Sequence, residues 1–134
     1  MTRLLITALA FGTLLLGCAS QGVSFTGTTW KWTASTTKTP VSQSVVPDPQ
    51  DYTVEFKANQ TFAAKADCNQ VSGSWTSTAD NGLTITLGPS TLAACGPDSL
   101  SDAFIAGLAK ATRYVIEESK LILTMTDEGT MTFN

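Results

Sequence analysis

The sequence predicts an α+β domain, mostly β: an antiparallel, barrel-like sheet of about seven or eight short strands with one helix over about residues 99–111. Three observations predict it. From Asp51 onward apolar and polar residues alternate with a period of two, as half-buried strands require. Turn-forming residues interrupt that alternation at short intervals, so the strands are short and their partners antiparallel. One stretch, after Ser99, changes to a helical period. Short strands in this number bury a core when the sheet curls or closes on itself.

Taken in order, Trp30-Lys31-Trp32 opens the first strand. Thr33 to Gln50 is rich in Thr, Ser and Pro and carries no period, which predicts a long surface loop with at most a short strand at Ser44 to Val46. Tyr52, Val54 and Phe56 then alternate with Thr53, Glu55 and Lys57. Ala58-Asn59-Gln60 turns the chain, and Phe62, Ala64 and Ala66 continue the apolar face. Ser74 to Thr78, carrying Trp75, forms the next strand, and Asn81-Gly82 suits a tight turn because both positions tolerate positive φ. Leu83, Ile85 and Leu87 return. Ser99 is the expected N-cap, with Asp102 three residues on, and Leu100, Phe104 and Leu108 make one helical stripe beside Ala103 and Ala111. Tyr114 and Ile116, then Leu121, Leu123 and Met125, then Thr130 to Phe133 complete the strands.

The N-terminus has a different character. Arg3 precedes an apolar run from Leu4 to Leu16, and Leu15-Leu16-Gly17-Cys18 has the form of a lipobox. Thirteen residues fall short of the roughly 20 that span a bilayer, so residues 1–17 read as a lipoprotein signal peptide and Cys18 as the lipidated first residue. Residues 18–28 are then lipidated cysteine and tether, and 29–134 the domain. Ala19 stands where an inner-membrane retention signal would be Asp, which predicts outer-membrane delivery with the domain facing the periplasm.

Residues 1–17 hold one of the 8 basic residues and none of the 11 acidic ones, so the remaining 117 residues carry a net charge of −4. No basic patch stands out, which argues against a nucleic-acid partner; the expected partners are the membrane, through the lipid, and an unidentified protein or small molecule of the envelope. With Cys18 assigned to lipid, Cys68 and Cys95 remain in an oxidising compartment and predict a disulfide. A redox-active or metal-binding pair would want a C-x-x-C spacing or a histidine, and neither is present. The absence of histidine also removes His-based triads, and no phosphate loop, dinucleotide fingerprint or nucleophile elbow occurs. Acidic residues sit mainly at turns. No catalytic residue, metal ligand or cofactor is expected.

One constellation is more specific. Asp67-Cys68-Asn69-Gln70-Val71-Ser72-Gly73-Ser74-Trp75 resembles the Cys-Asn, then Gly, then aromatic signature of the META-domain family of HslJ-like heat-shock proteins. Thr91-Leu92-Ala93-Ala94-Cys95 is similar to that family's Thr-basic-Met-Ala-Cys segment, and Trp30 to its opening tryptophan. The motif positions are thus Trp30, Asn69, Gly73, Trp75 and Thr91. Asp67 stands where the family usually has Gly, and Leu92 replaces the basic residue. The resemblance implies a lipocalin-like barrel and a part in heat shock, antibiotic tolerance or secretion, without established catalytic residues. The expectation is a non-enzymatic outer-membrane lipoprotein serving envelope maintenance or stress tolerance through binding. The alternative is a lipoprotein inhibitor of a host or rival enzyme such as lysozyme, with the segment 33–50 as its reactive loop.

Overall fold

The structure, a computed structural model, describes residues 22–134; the expected signal peptide and Cys18 lie outside the described residues. Nine strands and one helix follow in order: β1 (Thr29–Lys38), β2 (Val41–Val45), β3 (Tyr52–Phe56), β4 (Thr61–Ala66), β5 (Asn69–Ser77), β6 (Leu83–Ser90), α1 (Ser101–Ala109), β7 (Ala111–Glu117), β8 (Lys120–Met125) and β9 (Thr130–Phe133). Eight strands form one curled antiparallel sheet in the order β6-β5-β4-β3-β1-β9-β8-β7, and β2 pairs with β1 off that path. The α+β, barrel-like expectation is met.

Register explains the curl. On the inner face Tyr52, Val54 and Phe56 stand opposite Ala66, Ala64 and Phe62, and all six are buried. At the first two of these pairs a large residue faces an alanine, which lets the sheet bend inward without leaving voids. The sheet's two edges meet where Gly82 bridges Arg113, Tyr114 N–H donates to Asn81 O at 3.0 Å and the Arg113 guanidinium donates to Asp80 O at 2.8 Å. The Thr78 hydroxyl donates to the Asp80 carboxylate and, with turn N–H groups and Arg113, holds it below the usual carboxylate range.

The turns follow the expected chemistry in part: at the β5–β6 turn Asn81 takes positive φ and Gly82 does not, Gly82 bridging Arg113 instead. Gln60, Asn81 and Glu128 take positive φ, and Asn59 Oδ1 accepts from both the Thr61 N–H and its hydroxyl. Asp67, in the place of the family's glycine, has φ 57°. That left-handed turn is free to glycine and tolerated by the short polar side chain of aspartate.

Four expectations are corrected. Thr33 to Gln50 is no loop: β1 runs on to Lys38 and turns into β2, a hairpin projecting past the core, with one 3-10 turn at Pro49–Asp51. Every residue of β2 is exposed, so no apolar alternation marks it. Strand β5 starts at Asn69, not Ser74, and bulges between Val71 and Gly73. The helix is shorter than 99–111, and its N-cap is Leu100 with no side-chain cap; the Ser99 hydroxyl instead accepts the Ser101 N–H at 3.2 Å. The last correction lies at the N-terminus. Phe25, inside the expected tether, is only 8% exposed. It stacks on Phe56 and Tyr114 with ring centroids 4.4 and 4.2 Å away, and its carbonyl accepts the buried Trp30 indole N–H at 3.0 Å. The domain therefore begins before Thr29.

The two ends of the barrel are closed differently. Phe25 plugs the end where β3 finishes at Phe56. At the other end α1 lays Phe104 against Trp32 and Tyr52, and Tyr52 Oη accepts the Leu100 N–H at 2.8 Å.

Candidate functional site

Two of the motif residues, Asn69 and Thr91, converge with the two cysteines on one knot beside the helical end. Cys68 and Cys95 are disulfide-bonded with Cα atoms 5.7 Å apart, inside the roughly 4.4–6.8 Å that such bonds need. Asn69, buried at the start of β5, treats Ala93 as a strand partner would. Its Oδ1 accepts the Ala93 N–H at 2.8 Å and its Nδ2 donates to Ala93 O at 3.1 Å. The Thr91 hydroxyl donates to Asn69 Oδ1 at 3.0 Å and accepts the Gln70 N–H at 2.9 Å. Segment 91–100 belongs to no strand, and this side chain, the bonds between Thr91 and Gln70, the disulfide and Tyr52 fasten it to the barrel. A buried amide satisfied on both atoms stabilises; leaving its partners unmet costs roughly 1–3 kcal/mol.

The other motif positions are architectural too. Trp75 is buried and donates its indole N–H to Lys57 O and Thr61 O at 3.1 and 3.0 Å, tying β5 to the β3–β4 turn. Gly73 sits where β5 and β6 approach too closely for any Cβ. Leu92, in place of the family's basic residue, is 92% exposed. Asn69 and Thr91 hold the shape of the helical end, while Trp75, which meets Phe25 edge-on, and Trp30 join Phe25 at the other, with Gly73 beside Phe62.

Reducing or deleting the disulfide tests the knot. It closes a 27-residue separation, for which chain-entropy models give roughly 3–4 kcal/mol. We expect the paired replacements Cys68→Ser and Cys95→Ser to lower the melting temperature by roughly 10 °C or more, read by circular dichroism. An unchanged melting temperature would show that Asn69 and Tyr52 hold the segment unaided.

Beside the knot lies an apolar groove of about 470 Å³ that sequence reasoning missed. One bank is the β1–β2 hairpin, contributing Ser35, Thr37, Ser44 and Val45; the other is α1, contributing Ala103, Ala106 and Gly107; Trp32 and Met131 lie between them. Gly107 leaves room for Met131, because a Cβ there would stand 2.4 Å from Met131 Sδ and the thioether would have to shift. Small residues on α1 keep the channel open. A Lys110–Asp127 pair at 3.7 Å marks one part of the rim, and Asp98 another. Asp98 also lines an adjoining depression with Asp48, Asp51 and Asp67. Of these four, only Asp51 has an ion-pair partner among the described residues, Lys65 at 2.8 Å. Among the described residues no group of three or more His, Cys, Asp or Glu side chains is arranged to hold a metal ion. The groove offers shape, an apolar floor and hydroxyls; it assembles binding elements.

A curled antiparallel barrel, capped by one helix and fastened by a Cys-Asn knot, defines a small disulfide-bonded β-barrel module of the kind the motifs suggested. The family model for the META domain matches residues 23–134, and the chain belongs to that family. Its fold is similar to a DUF4847 family protein from Bacteroides vulgatus, at 18% identity and a TM-score of 0.60, covering 81% of this chain and 92% of that one. It is also similar to a protein from Burkholderia xenovorans solved by NMR, at 22% identity and a TM-score of 0.65, covering 82% of each chain. No curated protein sequence matches the chain.

Proposed function

We propose that this protein is a non-enzymatic lipoprotein of the outer membrane, its META domain facing the periplasm, which serves envelope maintenance or stress tolerance by binding a partner in the groove between α1 and the β1–β2 hairpin. The groove is the observation that carries the reading. It is an apolar recess at the end of the barrel that carries the family's knot, and concave apolar sites with a few polar groups are where ligands bind. The lipobox at Leu15 to Cys18 and the Cys68–Cys95 disulfide both suit an exported protein.

Two substitutions test the two halves. Cys18→Ser should abolish incorporation of labelled palmitate and remove the protein from the outer-membrane fraction; acylation that persists in Cys18→Ser would end the lipoprotein assignment. Ala106→Arg fills the groove from an exposed helix position. Cells carrying it should lose envelope-stress tolerance to the level of a deletion strain, with lipidation and protein amount unchanged. Full tolerance in Ala106→Arg cells would dissociate the groove from the function. The inhibitor reading has one supporting feature, the projecting hairpin with Val41 and Val45 at 87% and 74% exposure. Inhibition of lysozyme by the purified protein, lost on deleting residues 36–48, would move the assignment there.

A further inference from the structure

We infer that the groove takes an extended polypeptide segment, which adds as a further strand to the open edge of β2 and carries a basic residue where it passes Asp98. The inference rests on the binding reading above and names the class of ligand.

Strand β2 pairs with β1 alone, Ala34 opposite Val45 through Lys38 opposite Val41. The direction of its backbone groups follows from one bond. Val46 N–H donates to Thr33 O at 2.9 Å, and in an antiparallel ladder hydrogen-bonded and non-hydrogen-bonded pairs alternate. The pairs Ser35–Ser44 and Thr37–Ser42 are therefore the bonded ones. Gln43 and Val45 turn their N–H and C=O groups away from β1, and no hydrogen bond to either backbone occurs among the described residues. On that side of β1, strand β3 occupies only the stretch opposite Thr29 to Lys31. The hairpin face that carries Ser35, Thr37 and Ser44 looks across the groove at α1. An unpaired row of donors and acceptors at the border of an apolar groove is a slot for one more strand.

The slot also selects chemistry. A strand added to β2 turns alternate side chains toward Ala103, Ala106 and Gly107, where small apolar residues fit, and the others toward solvent. The mouth bordered by Asp98, with Asp48 and Asp67 in the adjoining depression, carries three carboxylates without ion-pair partners among the described residues. A lysine or arginine on the entering segment answers that charge. An acyl chain would fill the floor but leave the edge groups of Gln43 and Val45 unanswered.

The experiment uses the whole protein in lipid nanodiscs and two synthetic nonapeptides of alternating Val and Thr, one with Lys at its N-terminus and one with Lys at its C-terminus. Binding is read by calorimetry and by amide exchange of β2. We expect one of the two peptides to bind saturably and to protect Gln43 and Val45 from exchange. N-methylation of alternate peptide residues should weaken binding about tenfold or more, since each lost hydrogen bond of this kind removes a factor of several. Gln43→Pro deletes an edge N–H that β1 does not use, so it should weaken the peptide similarly while the melting temperature holds. Asp98→Asn should weaken the Lys peptides but not a Thr-ended one. Equal binding of methylated and unmethylated peptides overturns strand addition, as does binding unchanged by Gln43→Pro. Displacement by a free fatty acid alone would assign the groove to lipid, and self-association lost in Gln43→Pro would assign the edge to a second copy; either result overturns the inference. Loss of stress tolerance in Ala106→Arg with no peptide bound would overturn this inference and leave the binding function standing. Peptide binding with a neutral Ala106→Arg would do the reverse.

Discussion

Alanine at Gly73 should destabilise this domain more than almost any other single methyl group added to it. A Cβ there would stand 2.1 Å from Thr86 O, 2.9 Å from Gly88 N and 2.7 Å from Phe62 Cε1. The first two are backbone atoms of β6, and the third belongs to a ring buried between β3 and β5. Nothing in that list is the free end of a flexible side chain. Relief requires β5 and β6 to separate at the bulge between Val71 and Gly73, which breaks ladder bonds as well as packing. Ordinary overpacking costs roughly 1–3 kcal/mol, and this site should exceed it, out of a total stability of about 5–15 kcal/mol. We expect Gly73→Ala to melt more than about 10 °C below the parent, by circular dichroism. Gly96→Ala is the control, because its added Cβ meets nothing within 4 Å. A Gly73→Ala protein melting with the control would mean that the strands part there at little cost.

The second large effect is expected at Phe25. Replacing a buried phenylalanine by alanine typically costs about 3–5 kcal/mol. Phe25 stacks on two rings and meets a third edge-on, Trp75, with centroids 5.2 Å apart. Such pairs add about 0.5–1.5 kcal/mol beyond area burial. Phe25→Ala should keep the Trp30 indole bond, because that bond uses the backbone carbonyl, yet open the plugged end to water. The expected signs are a fall in melting temperature of about 10 °C or more and a red-shifted tryptophan emission from Trp75. A Phe25→Ala melting curve identical to the parent's would return residues 22–28 to the status of a tether.

How far the residues announce the fold depends on where they sit relative to the core. Tyr52, Val54 and Phe56, or Leu121, Leu123 and Met125, are legible because each of those strands has one dry face and one wet one. The β1–β2 hairpin has two wet faces, so Thr36 to Val45 shows threonine and serine without a period, and its β-branched content is the only local sign of strand. Phe25 is a lone ring in a polar stretch; its partners Phe56 and Tyr114 are brought to it by tertiary structure. Asn69 and Thr91 are visible as motif letters, but their roles depend on bonds spanning 22 to 24 residues, which no local pattern encodes. The groove is least legible, since Ala103, Ala106 and Gly107 matter there for the atoms they lack.

The docking of Phe25 also gives the domain a near side and a far side. Seven peptide steps separate Cys18 from Phe25, a leash of about 25 Å when fully drawn out. If Cys18 holds the bilayer, as proposed, the leash emerges at the Phe25 pole and draws that pole toward the lipid headgroups. Strand β3 runs from Tyr52 at one pole to Phe56 at the other, so the α1 cap, the Asn69 knot and the open edge of β2 sit at the pole turned from the bilayer. Under that proposed anchoring the aromatic ring that seals the barrel would aim its groove into the periplasmic space, at a stand-off that the length of the leash limits and that inserting residues between Ala19 and Gly22 would extend.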